Sequence, residues 1–237
     1  CEAVYDGTAA VEGILCRRID SLEECEQVWQ AGEIPLMVDP AGNCIIEVSA
    51  QGKIAALVDA ILAKKNLGTT KDMAPVTIAL GPGFTAGTDC DAVIETMRGH
   101  RLGRVIYEGS AIANTGVPGV IAGYAAERVI HAPMAGILHN IAKITDTVEK
   151  GQPIAWIEGK DGKRTEIPAS LSGLLRGLIR EGYPVTKGFK IADIDPRLKE
   201  YENCFTISDK ARCIAGGVLE AYFSLKKERQ GWTELCM

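Results

Sequence analysis

The chain has 237 residues, enough for one large domain or two small ones, and 46% apolar content is enough for ordinary cores. A net charge of -5 with scattered Lys and Arg argues against a nucleic-acid or membrane-surface protein. No apolar run reaches the roughly 18 residues that span a bilayer, and the opening CEAVYDGTAA lacks a signal peptide's basic start and apolar core, so a cytoplasmic protein is expected.

In chain order, residues 11–19 predict a strand of mixed pattern. Ser21 caps a short helix through Gln30, with Glu23 and Glu24 in its acidic first turn. Apolar runs at 34–38 and 43–48 predict two strands around the turn Pro40-Ala41-Gly42. Residues 53–65 predict an amphipathic helix, with Ile54, Leu57, Val58, Ile61 and Leu62 on one stripe and Gly68 beyond its end. A buried-type strand at 75–80 runs into Gly81-Pro82-Gly83-Phe84. A helix at 89–97 and a strand at 103–107 complete a crossover unit, which favours a parallel sheet. Residues 109–123, rich in Gly, Ala and Pro, predict a linker or ordered loop. From Asp209 to about Glu228 the pattern is helical, with Ala211, Ile214, Val218, Leu219 and Tyr222 inward. Gly216-Gly217 costs about 1 kcal/mol per glycine there, which implies close packing or a bend.

Between these regions lies an internal repeat. The stretch 132–157 returns 37 residues later as 169–194 without a gap, pairing Ala132 with Ala169, Gly136 with Gly173 and Lys150-Gly151 with Lys187-Gly188. Asp161-Gly162 joins the halves as a strong hairpin signal. The pattern resembles biotinyl and lipoyl carrier domains, which are barrel-sandwich hybrids. The joining hairpin has no EAMKM-type lysine; Lys160 and Lys163 flank an ordinary Asp-Gly tip, so a scaffold or docking role is implied. The expected fold is thus an α/β region (1–125), an inserted all-β barrel-sandwich hybrid of biotinyl/lipoyl-like type (126–197), and a C-terminal segment and helix (198–237) packing on the α/β region.

Several residues are suited to chemistry. A glycine loop followed by a helix N-terminus offers backbone N–H groups to an anion, here Gly81, Gly83, Phe84, Gly87 and the hydroxyls of Thr85 and Thr88. Asp89 or Thr88 could instead cap the helix. Cys90 at the helix start is a candidate nucleophile or selenium acceptor, because a helix dipole lowers a thiol pKa; a buried, inert thiol is the competing reading. Glu95, Arg98, His100 and Arg101 fall at or beyond the helix end. The loop is neither a Walker loop nor a GxGxxG signature. Asp193, Asp195, Arg197, Lys210 and Arg212 form a second polar set, read as a salt-bridge network. Two carboxylates are too few to argue a metal, and none is expected. Cys1, with its adjacent amine as base, joins Asp6 and Glu12 in a third set. The eight cysteines include no CxxC and read mainly as free thiols.

The stretches GTAAVEG (7–13), LGPGFTAGTDCDAVIETMRGHRLGRVIYEG (80–109), NTGVPG (114–119) and FTISDKARCIAGGVLEA (205–221) resemble the YqeB-type accessory proteins of selenium-dependent molybdenum hydroxylase systems. The resemblance spans essentially the whole chain. It implies a role in maturing such a hydroxylase, with a molybdenum cofactor precursor, a nucleotide, or a selenium or sulfur species as ligand. The implied partner is the hydroxylase or its maturation machinery, with no nucleic acid or membrane and with homo-oligomerisation left open. Family members begin with a GAGDLA-type dinucleotide-fold segment that these residues do not contain. The alternative from another class is a noncatalytic scaffold or partner-docking protein.

Overall fold

The computed structural model describes residues 2–116 and 119–230. They fall into two compact units, one made of Cys1–Asn114 with Ile207–Met237 and one of Thr115–Thr206.

The first unit opens with helix α1 (Glu2–Asp6) and strands β1 (Thr8–Val11) and β2 (Ile14–Ile19). The single strand expected over 11–19 is instead part of this hairpin. Glu12 and Gly13 both take positive φ, 50° and 80°, the geometry of a tight two-residue hairpin turn. Ser21 caps as expected, but the cap closes a 3-10 turn (Leu22–Glu24) through a reciprocal capping box with Glu24, and α2 (Cys25–Gln30) follows it. Strand β3 (Ile34–Met37) returns parallel to β2, giving a three-stranded sheet in the order β1-β2-β3.

The next three expectations are corrected. Residues 43–50 form helix α3 (Asn43–Ala50), not a strand. The Asp39 carboxylate accepts the Cys44 amide at 2.7 Å, and Cys44, Ile45, Val48 and Ser49 face inward at helical spacing. The helix at 53–65 does not form. Its centre is strand β4 (Leu57–Asp59), and Leu62 and Lys64 hold φ of 59° and 61°, which a right-handed helix excludes. Where a helix was expected at 89–97, β6 (Ala92–Ile94) is a fully buried strand. It lies between β5 (Thr77–Leu80) and β7 (Val105–Ile106). Strand-pairing on both sides of a short apolar run overrides local helix propensity. Strands β4, β5 and β6 run parallel and β7 antiparallel.

Helix α4 (Asp209–Gln230) covers this sheet through Ile214, Val218, Ala221, Tyr222 and Leu225, which share a core with Val76, Ile78, Ala92 and Ile94. Leu219 points outward, at 57% exposure, and Ala211 is also exposed. A Cβ on Gly217 would strike the Gly103 carbonyl, so the close packing expected of the Gly-Gly pair resides in Gly217; a Cβ on Gly216 would meet nothing within 4 Å.

The Thr115–Thr206 unit contains β8 (Val129–His131), β9 (Gly136–Asn140), β10 (Thr147–Val148), β11 (Pro153–Glu158), β12 (Arg164–Pro168), β13 (Gly173–Leu178), β14 (Pro184–Val185) and β15 (Lys190–Asp195). They form two four-stranded antiparallel sheets, β12-β11-β9-β14 and β10-β13-β15-β8. The repeat halves are interlocked: each lends its short strand, β10 or β14, to the sheet built on the other half. Leu138, Ile154 and Ile157 from one sheet share a core with Leu175, Ile191 and Ile194 from the other. Gly136 and Gly173 occupy equivalent places, each against a carbonyl one strand away, Glu158 and Asp195 respectively. Among the described residues the ladders do not close into a barrel.

Candidate functional site

Parallel β4, β5 and β6 end at one edge of their sheet, the position where α/β sheets present loops for ligand binding. Three polar features gather there. Asp59, at the end of β4, accepts the Ile61 amide at 3.1 Å and the Thr69 hydroxyl at 2.6 Å. Gly81 and Gly83 follow β5 with φ of 78° and 106°; a side chain on Gly83 would overlap the backbone of Lys64 and Lys65. Glu95, just past β6, is 2% exposed and accepts the amides of Met97 and Ile112 at 2.8 and 2.9 Å.

The glycine loop does not offer its later amides to a ligand. Thr85 donates to the Asp89 carboxylate at 2.7 Å, Ala86 to the Gly109 carbonyl at 2.7 Å, and Gly87 to the Cys90 carbonyl at 2.8 Å. Thr88 and Asp89 both donate to the Thr85 carbonyl. The Thr85 hydroxyl lies 3.2 Å from that of Ser110, and Phe84 is buried in a core with Ala79, Ala86, Cys90 and Val93. The anion cradle expected from Gly81 to Thr88 is therefore largely self-satisfied: the Gly81 amide also donates, to the Ile94 carbonyl at 2.9 Å, and Asp89 caps the loop.

Cys90 requires the same correction. No helix dipole acts at this point. Burial, joined by the charges of Asp89 and Asp91, pushes the thiol up to about 11 and outweighs the backbone hydrogen bonds at Ala79 and Ala92, which lower its pKa. It is completely buried and its Sγ–H donates to the Ala92 carbonyl. Such a thiol is protonated at neutral pH and a poor nucleophile. Cys1 lies outside the described residues.

A cationic group replaces these candidates. Arg98, from the loop after β6, grips Asp209 at the start of α4 through two hydrogen bonds of 2.7 and 2.8 Å. Lys210 follows Asp209. Burial, then the positive charges of Arg98 and Lys64, hold the Lys210 amine below its ordinary value, with Glu95 opposing. His100 is exposed. Nearby, Glu12 at the β1–β2 hairpin tip accepts both the Ile207 amide and the Arg212 guanidinium, and Ser208 caps α4 through the Ala211 amide.

The second expected set divides. Lys210 and Arg212 belong to the first unit, whereas Asp193, Asp195 and Arg197 lie on or beside β15. Asp195, with no exposed surface, accepts Arg176 and Arg197, the latter through its amide, Nε and Nη2. Burial pushes the Asp195 carboxyl up, but the Arg197 and Arg176 hydrogen bonds outweigh it and hold it at about 2. Asp193 pairs with the buried Arg128 at 3.2 Å. This is a structural ion-pair network. Among the described residues no group of three or more His, Cys, Asp or Glu side chains is placed to hold a metal.

Sequence reasoning missed Lys64, because an amphipathic-helix pattern covered it, and Arg128 and Arg176, which reach β15 from the turn before β8 and from neighbouring β13. No helix among the described residues is long and apolar enough to cross a membrane.

No family model matches the chain. Over 224 residues, 94% of its length, it is 54% identical to an Escherichia coli (strain K12) protein described as uncharacterized protein YqeB. The two are homologues. The chain spans 40% of the length of YqeB. Solved structures show only partial likeness. An aspartoacylase family protein from Mesorhizobium loti gives a TM-score of 0.27 at 17% identity, covering 29% of this chain and 23% of that one. The apo ectoine utilization protein EutE of Ruegeria pomeroyi gives 0.28 at 17% identity, covering 38% and 28%. At such scores none of those activities carries over to this chain.

Proposed function

We propose that this chain is an accessory protein in the maturation of a selenium-dependent molybdenum hydroxylase. It acts by noncovalent binding at the carboxyl edge of β4–β6, not by covalent chemistry at Cys90. One observation carries the reading. The two longest stretches that resemble the accessory family, 80–109 and 205–221, meet at this edge. The first supplies Gly81, Gly83 and Arg98; the second supplies Asp209 and Lys210, and the Arg98–Asp209 pair ties them together. The proposed ligand is a molybdenum cofactor precursor, a nucleotide, or a selenium or sulfur species, and the partner is the hydroxylase or its maturation machinery in the cytoplasm. We assign the Thr115–Thr206 unit to the biotinyl/lipoyl-like barrel-sandwich type, serving as a scaffold. Its interlocked halves and the exposed Asp161-Gly162 hairpin, whose Gly159 amide donates to the Lys163 carbonyl, support that assignment.

The buried thiol also favours the reading of a noncatalytic docking protein, and the two differ in what the cell loses. Removing the protein from cells that make such a hydroxylase should leave hydroxylase polypeptide at normal abundance but without activity. Full hydroxylase activity in its absence would contradict the accessory role.

A further inference from the structure

We infer that the open apolar face of the β1-β2-β3 sheet is a docking surface, and that its occupant is the segment a YqeB-length chain carries before α1. This sheet is separate from the one formed by β4 to β7.

Strand register gathers the apolar side chains on one side. Val11 pairs with Ile14 across the β1–β2 hairpin, Cys16 pairs with Ile34, and Arg18 pairs with Leu36. Residues two apart on a strand share a face, so Val11, Ile14, Cys16, Ile34 and Leu36 stand on the same side. Arg18, the charged member of that row, turns to α1 and donates to the Val4 carbonyl at 3.0 Å. Val11, Ile14 and Ile34 are 42%, 50% and 52% exposed. Ile19, on the alternate row and hence the opposite face, is 3% exposed, and Val28 of the crossover helix α2 is 6% exposed. One face is therefore packed while the other presents aliphatic side chains to water. An antiparallel sheet can leave a face open, but that face is then polar. A parallel pair such as β2–β3 is normally covered on both faces.

Length and topology point to the occupant. The matched region is 40% of YqeB, so the larger share of a YqeB-length chain lies outside it. Helix α1 turns directly into β1 at Gly7, whose amide donates to the Ala3 carbonyl at 3.1 Å. Residues joined to the start of α1 thus enter beside this sheet. The other end leads away from it. Helix α4 begins near the β1–β2 hairpin, where Glu12 holds Arg212, and its 22 residues carry its far end about 30 Å onward. A covalently attached segment also has a high effective concentration at the face, which a free partner lacks.

The test is the alkylation rate of Cys16, followed by mass mapping, in the full-length protein purified from its own cells and in residues 1–237 alone. Exposed Cys213 is the internal control. The expected result is that Cys16 reacts about tenfold or more slowly in the full-length protein, while Cys213 reacts alike in both. Ile34→Glu in the full-length protein should raise the Cys16 rate to that of residues 1–237, with Ile14→Glu as a second variant and far-UV circular dichroism showing that the fold is kept. Equal Cys16 rates in the two wild-type chains overturn the docking. An intact mass showing that the natural protein has no residues before Cys1 also overturns it. Protection of residues 1–237 that grows with their own concentration assigns the face to a second copy instead. Protection kept by a chain that lacks the residues before α1 but continues beyond residue 237 assigns it to the following part. Either outcome overturns the proposed occupant.

Discussion

Arg98 and Asp209, 111 residues apart in sequence, face each other with two side-chain hydrogen bonds of 2.7 and 2.8 Å. The pair is exposed, so its worth in stability is small, about 1 kcal/mol or less. Its consequence is geometric, because it fixes the first turn of α4, and with it Lys210, beside the ends of β5 and β6. Arg98→Ala should therefore leave the urea midpoint nearly unchanged while weakening any ligand bound at this edge; a large loss of stability would place the pair in the structural core instead.

Gly217 and Gly216 should respond oppositely to alanine. A Cβ on Gly217 runs into the Gly103 backbone, which cannot swing aside as a side chain can, so Gly217→Ala should destabilise by about 1–3 kcal/mol or more. Gly216 has open space and lies within a helix, so Gly216→Ala should stabilise by about 0.5–1 kcal/mol. Denaturant unfolding of the two variants checks both signs.

Cys90→Ala should leave hydroxylase maturation intact. In the folded wild-type protein, alkylation followed by mass mapping should label exposed Cys213 well before buried Cys90. Rapid labelling of Cys90 under native conditions would restore it as a nucleophile.

Much of this was legible in the sequence, and the failures have identifiable causes. The Ser21 cap is a local device, and it formed as read; the structure adds the reciprocal Glu24 bond. The repeat marked Gly136 and Gly173 as equivalent, and both meet a carbonyl across a strand. The run at 92–94 was misread because three apolar residues carry no period that separates a strand from a helix. Its strand state is decided by β5 and β7. Residues 53–65 had a real helical stripe, but pairing with β5 and the left-handed Leu62 and Lys64 override it. That error concealed Lys64, and the false helix at 89–97 gave Cys90 an activating dipole that does not exist. At Glu12-Gly13 the turn lacks the usual Asn or Asp before its glycine, so a hairpin read as one strand.

Asp195 should dominate the acid response of the two-sheet unit. Its carboxyl titrates at about 2 in the folded protein against 3.8 for the unperturbed group. The contribution, about 2 kcal/mol, is therefore complete above pH 4 and disappears as pH falls from about 4 to 2. Asp195→Asn should remove most of that pH dependence. It should also cost about 1–3 kcal/mol at neutral pH, because the partly exposed Arg176 and Arg197 lose their buried partner. Unfolding followed across this pH range checks both effects.

The central claim, that the carboxyl edge of β4–β6 serves hydroxylase maturation, is tested most directly by Lys210→Glu expressed as the cell's sole copy of the protein. The account predicts normal thermal stability of the variant, normal abundance of the hydroxylase polypeptide, and hydroxylase activity reduced about tenfold or more. Wild-type activity with the charge reversed would contradict it.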